Sequence, residues 1–217
     1  AAYSGRNGLI VFRSDTEETG NDLWTINPDG TGLANITNVD GFDHDPSWAF
    51  GGGMLVFQSH REDPGDAEVW VSNADGSNPV NLTQNHGTED YDPVFSPDNK
   101  MIAWAREFNS TIDILIMNAD GSNPHAIALP TFDYDPAWGP NNRIAYGRDG
   151  NIWAMDPDGG NQLQLTNFAG NEGAPNWSPD GSKIVFARTP SGKFGDEADL
   201  YIMGSDGSNV TRLTSGP

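Results

Sequence analysis

The chain has 217 residues, enough to bury a core as one domain or two small ones. Its 31 acidic residues against 11 basic ones give a formal charge of −20, a field that repels phosphate and argues against a nucleic-acid partner. Cysteine is absent, which removes disulfides and thiol chemistry, and no apolar run approaches the ~20 residues of a membrane helix.

From the N-terminus, Leu9-Ile10-Val11-Phe12 and Asp22-Leu23-Trp24-Thr25-Ile26 read as strands, the second closed by Asn27-Pro28-Asp29-Gly30. Asp-Gly is a strong hairpin turn because glycine takes the positive φ that the turn requires. A second unit opens at Asp43-His44-Asp45-Pro46-Ser47-Trp48 and continues through Met54-Leu55-Val56-Phe57, Glu68-Val69-Trp70-Val71 and the turn Asn73-Ala74-Asp75-Gly76. The third opens at Asp90-Tyr91-Asp92-Pro93-Val94-Phe95 and closes at Asn118-Ala119-Asp120-Gly121. The fourth runs from Asp133-Tyr134-Asp135-Pro136-Ala137-Trp138 to Asp156-Pro157-Asp158-Gly159. In the fifth, Glu172-Gly173-Ala174-Pro175-Asn176-Trp177-Ser178-Pro179-Asp180-Gly181 leads through Ile184-Val185-Phe186 and Asp199-Leu200-Tyr201-Ile202-Met203 to Ser205-Asp206-Gly207. Aligned the same way, Tyr3 takes the place of Trp48 in the first unit. The turn glycines lie 46, 45, 38 and 48 residues apart, and each is followed six residues later by an aliphatic residue: Ile36, Leu82, Ile127, Leu165 and Leu213. A period of this length means a propeller or a solenoid.

Both alternating sets of side chains in the strand before each Asp-Gly turn are largely apolar, so both faces of each sheet must be covered. With no helical periodicity, and with 26 glycines and 15 prolines as punctuation, the expected fold is all-β: a five-bladed β-propeller of four-stranded antiparallel blades. One domain spans 1–217, with blades at about 1–40, 41–86, 87–130, 131–169 and 170–217. Naming the strands A to D from the axis outward, the A–B and C–D turns are uniform, whereas the B–C and D–A loops vary and mark the face where a ligand is expected. The chain ends are expected to meet between blades 1 and 5 by side-chain packing, without a shared strand.

The combination of Asp-x-Asp-Pro, Trp-Ser-Pro-Asp-Gly, Lys-Ile-Val-Phe, Asp-Leu-Tyr-Ile-Met, Asp-Gly-Ser-Asn and Leu-Thr resembles the repeat of TolB-type propellers over essentially the whole chain. That family includes periplasmic partners of an outer-membrane lipoprotein, non-catalytic secreted domains and some enzymes, so the resemblance implies a scaffold more than an activity. The TolB protein itself has six blades and an added α/β domain, whereas five repeats are visible here. The resemblance implies a secreted chain, periplasmic or extracellular, and Ala1-Ala2 would suit the residues left by signal-peptide cleavage.

If strand A begins on the loop-rich face, Asp43, Asp90, Asp133 and Glu172 ring the axis, with Asp45, Asp92 and Asp135 two residues on. Convergent carboxylates invite a hard cation, Ca²⁺ or Mg²⁺, and these seven residues are the candidate metal ligands. The alternative is that each Asp before proline accepts loop amides and only shapes the strand entry. The four histidines, His44, His60, His86 and His125, lack metal-ligand spacing, and no nucleophile elbow or phosphate loop is present. The expectation is therefore a non-enzymatic propeller that binds a protein or glycan partner on its loop-rich face. Two alternatives are an extracellular subunit that assembles with itself as an oligomer or filament, and a carbohydrate-active enzyme using paired carboxylates.

Overall fold

The computed structural model describes residues 8–16, 20–127, 132–190 and 197–215. Five antiparallel sheets follow one another along the chain, each with its strands in sequence order, as a five-bladed propeller. Blade 1 shows Ile10–Thr16, Gly20–Ile26 and Ala34–Asn35; the opening of its repeat at Tyr3 lies outside the described residues. Blade 2 comprises Asp43–Trp48, Met54–Ser59, Glu68–Asn73 and Val80–Asn81. Blade 3 comprises Glu89–Phe95, Met101–Phe108, Thr111–Asn118 and His125–Ala126. Blade 4 comprises Asp133–Trp138, Ile144–Arg148, Asn151–Met155 and Leu163–Gln164. Blade 5 comprises Asn171–Trp177, Lys183–Thr189, Asp199–Gly204 and Thr211–Arg212.

The two apolar sets of each strand are used as their pattern requires. In blade 2, Leu55, Phe57 and Trp70 pack with Leu23 of blade 1, while Val56, Val69 and Val71 pack with Phe95, Ile102, Trp104, Leu115 and Met117 of blade 3. Blades 3 and 4 meet around Ile114, Ile116, Trp138 and Tyr146, and blades 4 and 5 around Ile152, Ala154, Trp177 and Phe186. Removing this much apolar surface from water is the dominant stabilising term, roughly 1.5–3 kcal/mol per fully buried large side chain.

The outermost strands are only two residues long, and hydroxyls extend them. Thr37, Thr83, Thr166 and Thr214 accept the backbone N–H of Leu23, Val69, Ile152 and Leu200 through Oγ1 at 2.8–3.0 Å. The Leu-Thr and Ile-Thr signature thus completes the ladder where the strand itself stops.

The turn glycines and the aliphatic residues six positions on interlock between blades. A Cβ on Gly76 would lie 1.7 Å from the carbonyl of Ile36, one on Gly159 1.9 Å from that of Ile127, and one on Gly207 2.5 Å from that of Leu165. Gly121 sits against Leu82 in the same way, at 3.2 Å. Each turn of one blade rests on the fourth strand of the blade before it, and only glycine permits that approach at φ near +80°.

This interlock stops at the seam between the chain ends. Gly30 has nothing within 4 Å of its Cβ position, and Leu213, which should receive it, is 54% exposed. Among the described residues no strand is shared between the chain ends, and Thr211–Arg212 pairs within its own blade. Among the described residues no core cluster links blade 5 to blade 1, and the Tyr3 segment expected to take part in that joint lies outside them. Leu200 and Ile10, on the outer faces of these two blades, stay exposed.

Candidate functional site

The site begins with a local irregularity that the repeat encodes. In blades 2 to 5 the pairing of strands A and B skips between His44 and Ser47, Tyr91 and Val94, Tyr134 and Ala137, and Gly173 and Asn176. The bulged residue takes positive φ: Asp45 at 47°, Asp92 at 50°, Asp135 at 52° and Ala174 at 49°. Aspartate tolerates this region better than most residues, and the following proline, which cannot donate to a ladder, belongs at a bulge. On a flat strand residues i and i+2 share a face. The bulge breaks that rule and sends the two acids of each Asp-x-Asp-Pro in different directions.

The first acids turn into their own blades, which corrects their expected place on the axis. Asp43 accepts Arg61 Nη2 at 3.0 and 2.9 Å, and Asp133 accepts Arg148 Nε and Nη2 at 2.6 and 2.7 Å. Asp90 accepts Arg106 Nε and Nη2 at 2.7 and 2.8 Å and the Trp104 indole N–H at 2.9 Å. Glu172 accepts Arg188 Nε at 3.2 Å and the Thr166 hydroxyl at 3.1 Å. All four carboxylates are buried. Each guanidinium also lies over an aromatic ring: Arg61 on Trp70, Arg106 on Trp104, Arg148 on Tyr146 and Arg188 on Phe168. Burial pushes the Glu172 carboxyl up, and Thr166 and Arg188 pull it back. Each of these four acids is thus already paired with an arginine of its own blade.

The second acids converge instead. Asp45, Asp92 and Asp135, with Pro46, Pro93, Pro136 and Pro175, line a mouth of about 230 Å³ to which four successive blades contribute their first strands. Such residues meet only at the axis, and the fourth position is filled by Ala174. Among the described residues no lysine or arginine lines the mouth. Asp92 is pushed up to about 8, first by burial, then by the charges of Asp135 and Asp45 and a hydrogen bond shared with Asp135. Asp45 is also raised, mainly by burial, with His44 and Arg13 opposing. Asp135 Oδ2 accepts the Ala174 N–H of the next blade at 2.6 Å. His44 Nδ1 accepts from Arg13 Nη1 at 2.7 Å, and burial, then the Arg13 charge, holds its imidazole below the ordinary range.

Beside the mouth lies a larger hollow of about 670 Å³, whose lining includes Ile112, Phe132, Tyr134 and Ala187. The two share Asp135 and Ala174. The loop-rich face therefore presents an anionic socket next to an apolar one. The hollow had no warning in the repeat pattern, because its residues come from three blades. Three of the arginine pairs could have been read: Arg106, Arg148 and Arg188 recur in phase on strand B opposite the first acid, whereas Arg61 stands two residues beyond that position.

The sequence profile described as the TolB beta propeller domain matches residues 2–151. A protein TolB homolog of Chlorobium luteolum is 32% identical over 156 residues, covering 70% of this chain and 34% of its own length. The Tol-Pal system protein TolB of Francisella tularensis subsp. mediasiatica is 27% identical over 109 residues, 47% of this chain and 25% of that protein. The chain thus spans about a third of the length of the first of these relatives and a quarter of the second. The crystal structure of TolB from Acinetobacter baumannii superposes with a TM-score of 0.78 at 18% identity, covering 95% of this chain and 52% of that one, a likeness of fold.

Proposed function

Because the chain belongs to the TolB β-propeller family, we propose that it is a non-enzymatic, extracytoplasmic scaffold, periplasmic in setting, whose loop-rich face binds a protein segment carrying a basic residue beside an apolar one. The observation that carries this reading is the pairing of the acidic Asp45–Asp92–Asp135 mouth, which no described lysine or arginine lines, with the adjoining apolar hollow. A lysine or arginine head would neutralise the socket while its aliphatic stem lies against the prolines. A neighbouring leucine-like side chain would fill the hollow. A protein partner accords with the Tol-Pal name of the Francisella relative. The expected Ca²⁺ or Mg²⁺ is an alternative occupant of the same mouth. The axial acids do not form a group of three with oxygens within 4.8 Å of one another, which favours a hydrated ion or a basic side chain over direct chelation by all three.

The test is a titration with a short peptide holding one arginine flanked by leucines, and with its arginine-to-glutamate counterpart. Only the arginine peptide should bind, and Asp92→Asn with Asp135→Asn should weaken it by about tenfold or more, as should Ala187→Arg in the hollow. Equal binding of both peptides, or of neither, would remove this reading. A calcium-dependent rise in melting temperature lost in the same double variant would assign the mouth to the ion.

A second reading, self-assembly, is favoured by the open seam. Gly30 offers a turn without a seat and Leu213 a seat without a turn, so a second copy could satisfy both by a head-to-tail contact that continues from chain to chain. Sedimentation should then show species growing with concentration that Leu213→Asp abolishes. A native chain that stays monomeric at all concentrations would end this reading.

A further inference from the structure

Blade 2 carries a second acidic cleft on the loop-rich face, away from the axis. The loop between Met54–Ser59 and Glu68–Asn73 brings Asp63 and Asp66 to His86, which lies between the blade's last strand and blade 3. One ligand atom from each of the three lies within 4.8 Å of the others, the one such group among the described residues. The cleft, of about 350 Å³, is also lined by Glu62, Glu68, Asn81 and Gln84, with no lysine or arginine among the described residues.

Asp66 is the telling residue. It is 4% exposed, yet its buried Oδ1 takes no hydrogen bond from the protein, while Oδ2 accepts Gly87 N–H at 3.2 Å and faces His86 Nδ1 at 3.5 Å. A buried carboxylate oxygen without a donor costs on the order of 1–3 kcal/mol or more, so it marks a missing partner. Neighbouring polar groups are engaged elsewhere: Asn81 donates to Glu62 at 2.9 Å, and Glu68 accepts Asn85 N–H at 2.7 Å.

We propose that Asp63, Asp66 and His86 bind a divalent transition-metal ion of the zinc type, through one carboxylate oxygen from each aspartate and the imidazole Nδ1. One imidazole with two carboxylates is a borderline donor set, which suits zinc better than the all-oxygen shell calcium prefers. Tetrahedral zinc with bonds of ~2.0–2.1 Å sets its ligand atoms roughly 3.4 Å apart, and the Asp66–His86 pair already stands at 3.5 Å. The ion would add a tie between two loops already joined by the Gly87 N–H bond to Asp66, and with three protein ligands it would keep a position open to solvent or to a partner's side chain.

The experiment is calorimetric titration of the chelator-treated chain with zinc chloride, alongside the nitrogen spectrum of the histidine rings. One ion should bind, the His86 resonances should shift while those of His125 stay, and the melting temperature should rise with zinc. His86→Ala and Asp63→Asn should each weaken binding by about tenfold or more, whereas Asp92→Asn with Asp135→Asn should not. His86 is 91% exposed, so its replacement leaves the fold intact. No binding, native affinity in His86→Ala, or a site that takes calcium and ignores His86 would each overturn the assignment.

Discussion

At pH 9 the Asp92→Asn variant is expected to melt roughly 5–10 °C above the native chain, and at pH 4 the two should melt together. The folded carboxyl of Asp92 titrates at about 8, while in the unfolded chain it returns to about 3.9. Between those values the folded state holds a proton that the unfolded state has lost, so stability falls as pH rises through this window. The cost is complete above pH 8 and vanishes below 4. Asparagine mimics the protonated acid and never incurs it. Four units correspond to a ceiling of about 5 kcal/mol, and sharing of charge with Asp135 and Asp45 brings the expected gain to on the order of 2–4 kcal/mol. Thermal melts of both chains across pH 4 to 9 decide the matter. A pH-independent difference would mean that Asp92 carries no such strain, and the axial mouth would lose its claim to attract a cation.

The opposite result is expected at the first acid. Arg148→Met should destabilise the chain by about 3–5 kcal/mol near neutral pH, because it leaves Asp133 buried without its arginine. The loss includes two short hydrogen bonds, the bond from Arg148 Nη1 to Gln162 at 2.7 Å, and the stacking on Tyr146 and Trp153. Since a buried acid deprived of its cation prefers its proton, the deficit should shrink as pH falls toward 4. Denaturant unfolding at pH 7 and pH 4 would show it. A deficit under 1 kcal/mol at pH 7 would mean that Asp133 is held by other groups, and that the arginine pairs are not what keeps the first acids from the axis.

The contrast between these variants shows what the sequence made legible. Blades, turns and faces followed from Asp-Gly spacing and two-sided apolar strands, because glycine geometry and strand alternation act locally. The convergence of Asp45, Asp92 and Asp135 followed from the same repetition. What did not follow was the parting of Asp43 from Asp45, since alternation assigns both to one face and only the bulge with φ of 47° separates them. The hollow beside Tyr134 and the cleft at Asp66 were hidden for another reason. Both depend on loops and blades that meet in space without any period in the chain, and His86 looked solitary because its partners stand twenty residues or more away.

The unfilled place at Gly30 also changes how the molecule holds together as a whole. A closed ring shares its stability evenly, because every blade loses two neighbours when it opens. Among the described residues four core interfaces join the five blades, and over these residues the array is coupled as a line with two ends. In such a line stability is a sum of nearest-neighbour couplings, and an end unit can detach by surrendering one coupling where an inner unit must surrender two. In that line blade 3 stands furthest from both ends, and the axial mouth draws its three acids from blades 2, 3 and 4, which share core clusters with a blade on either side.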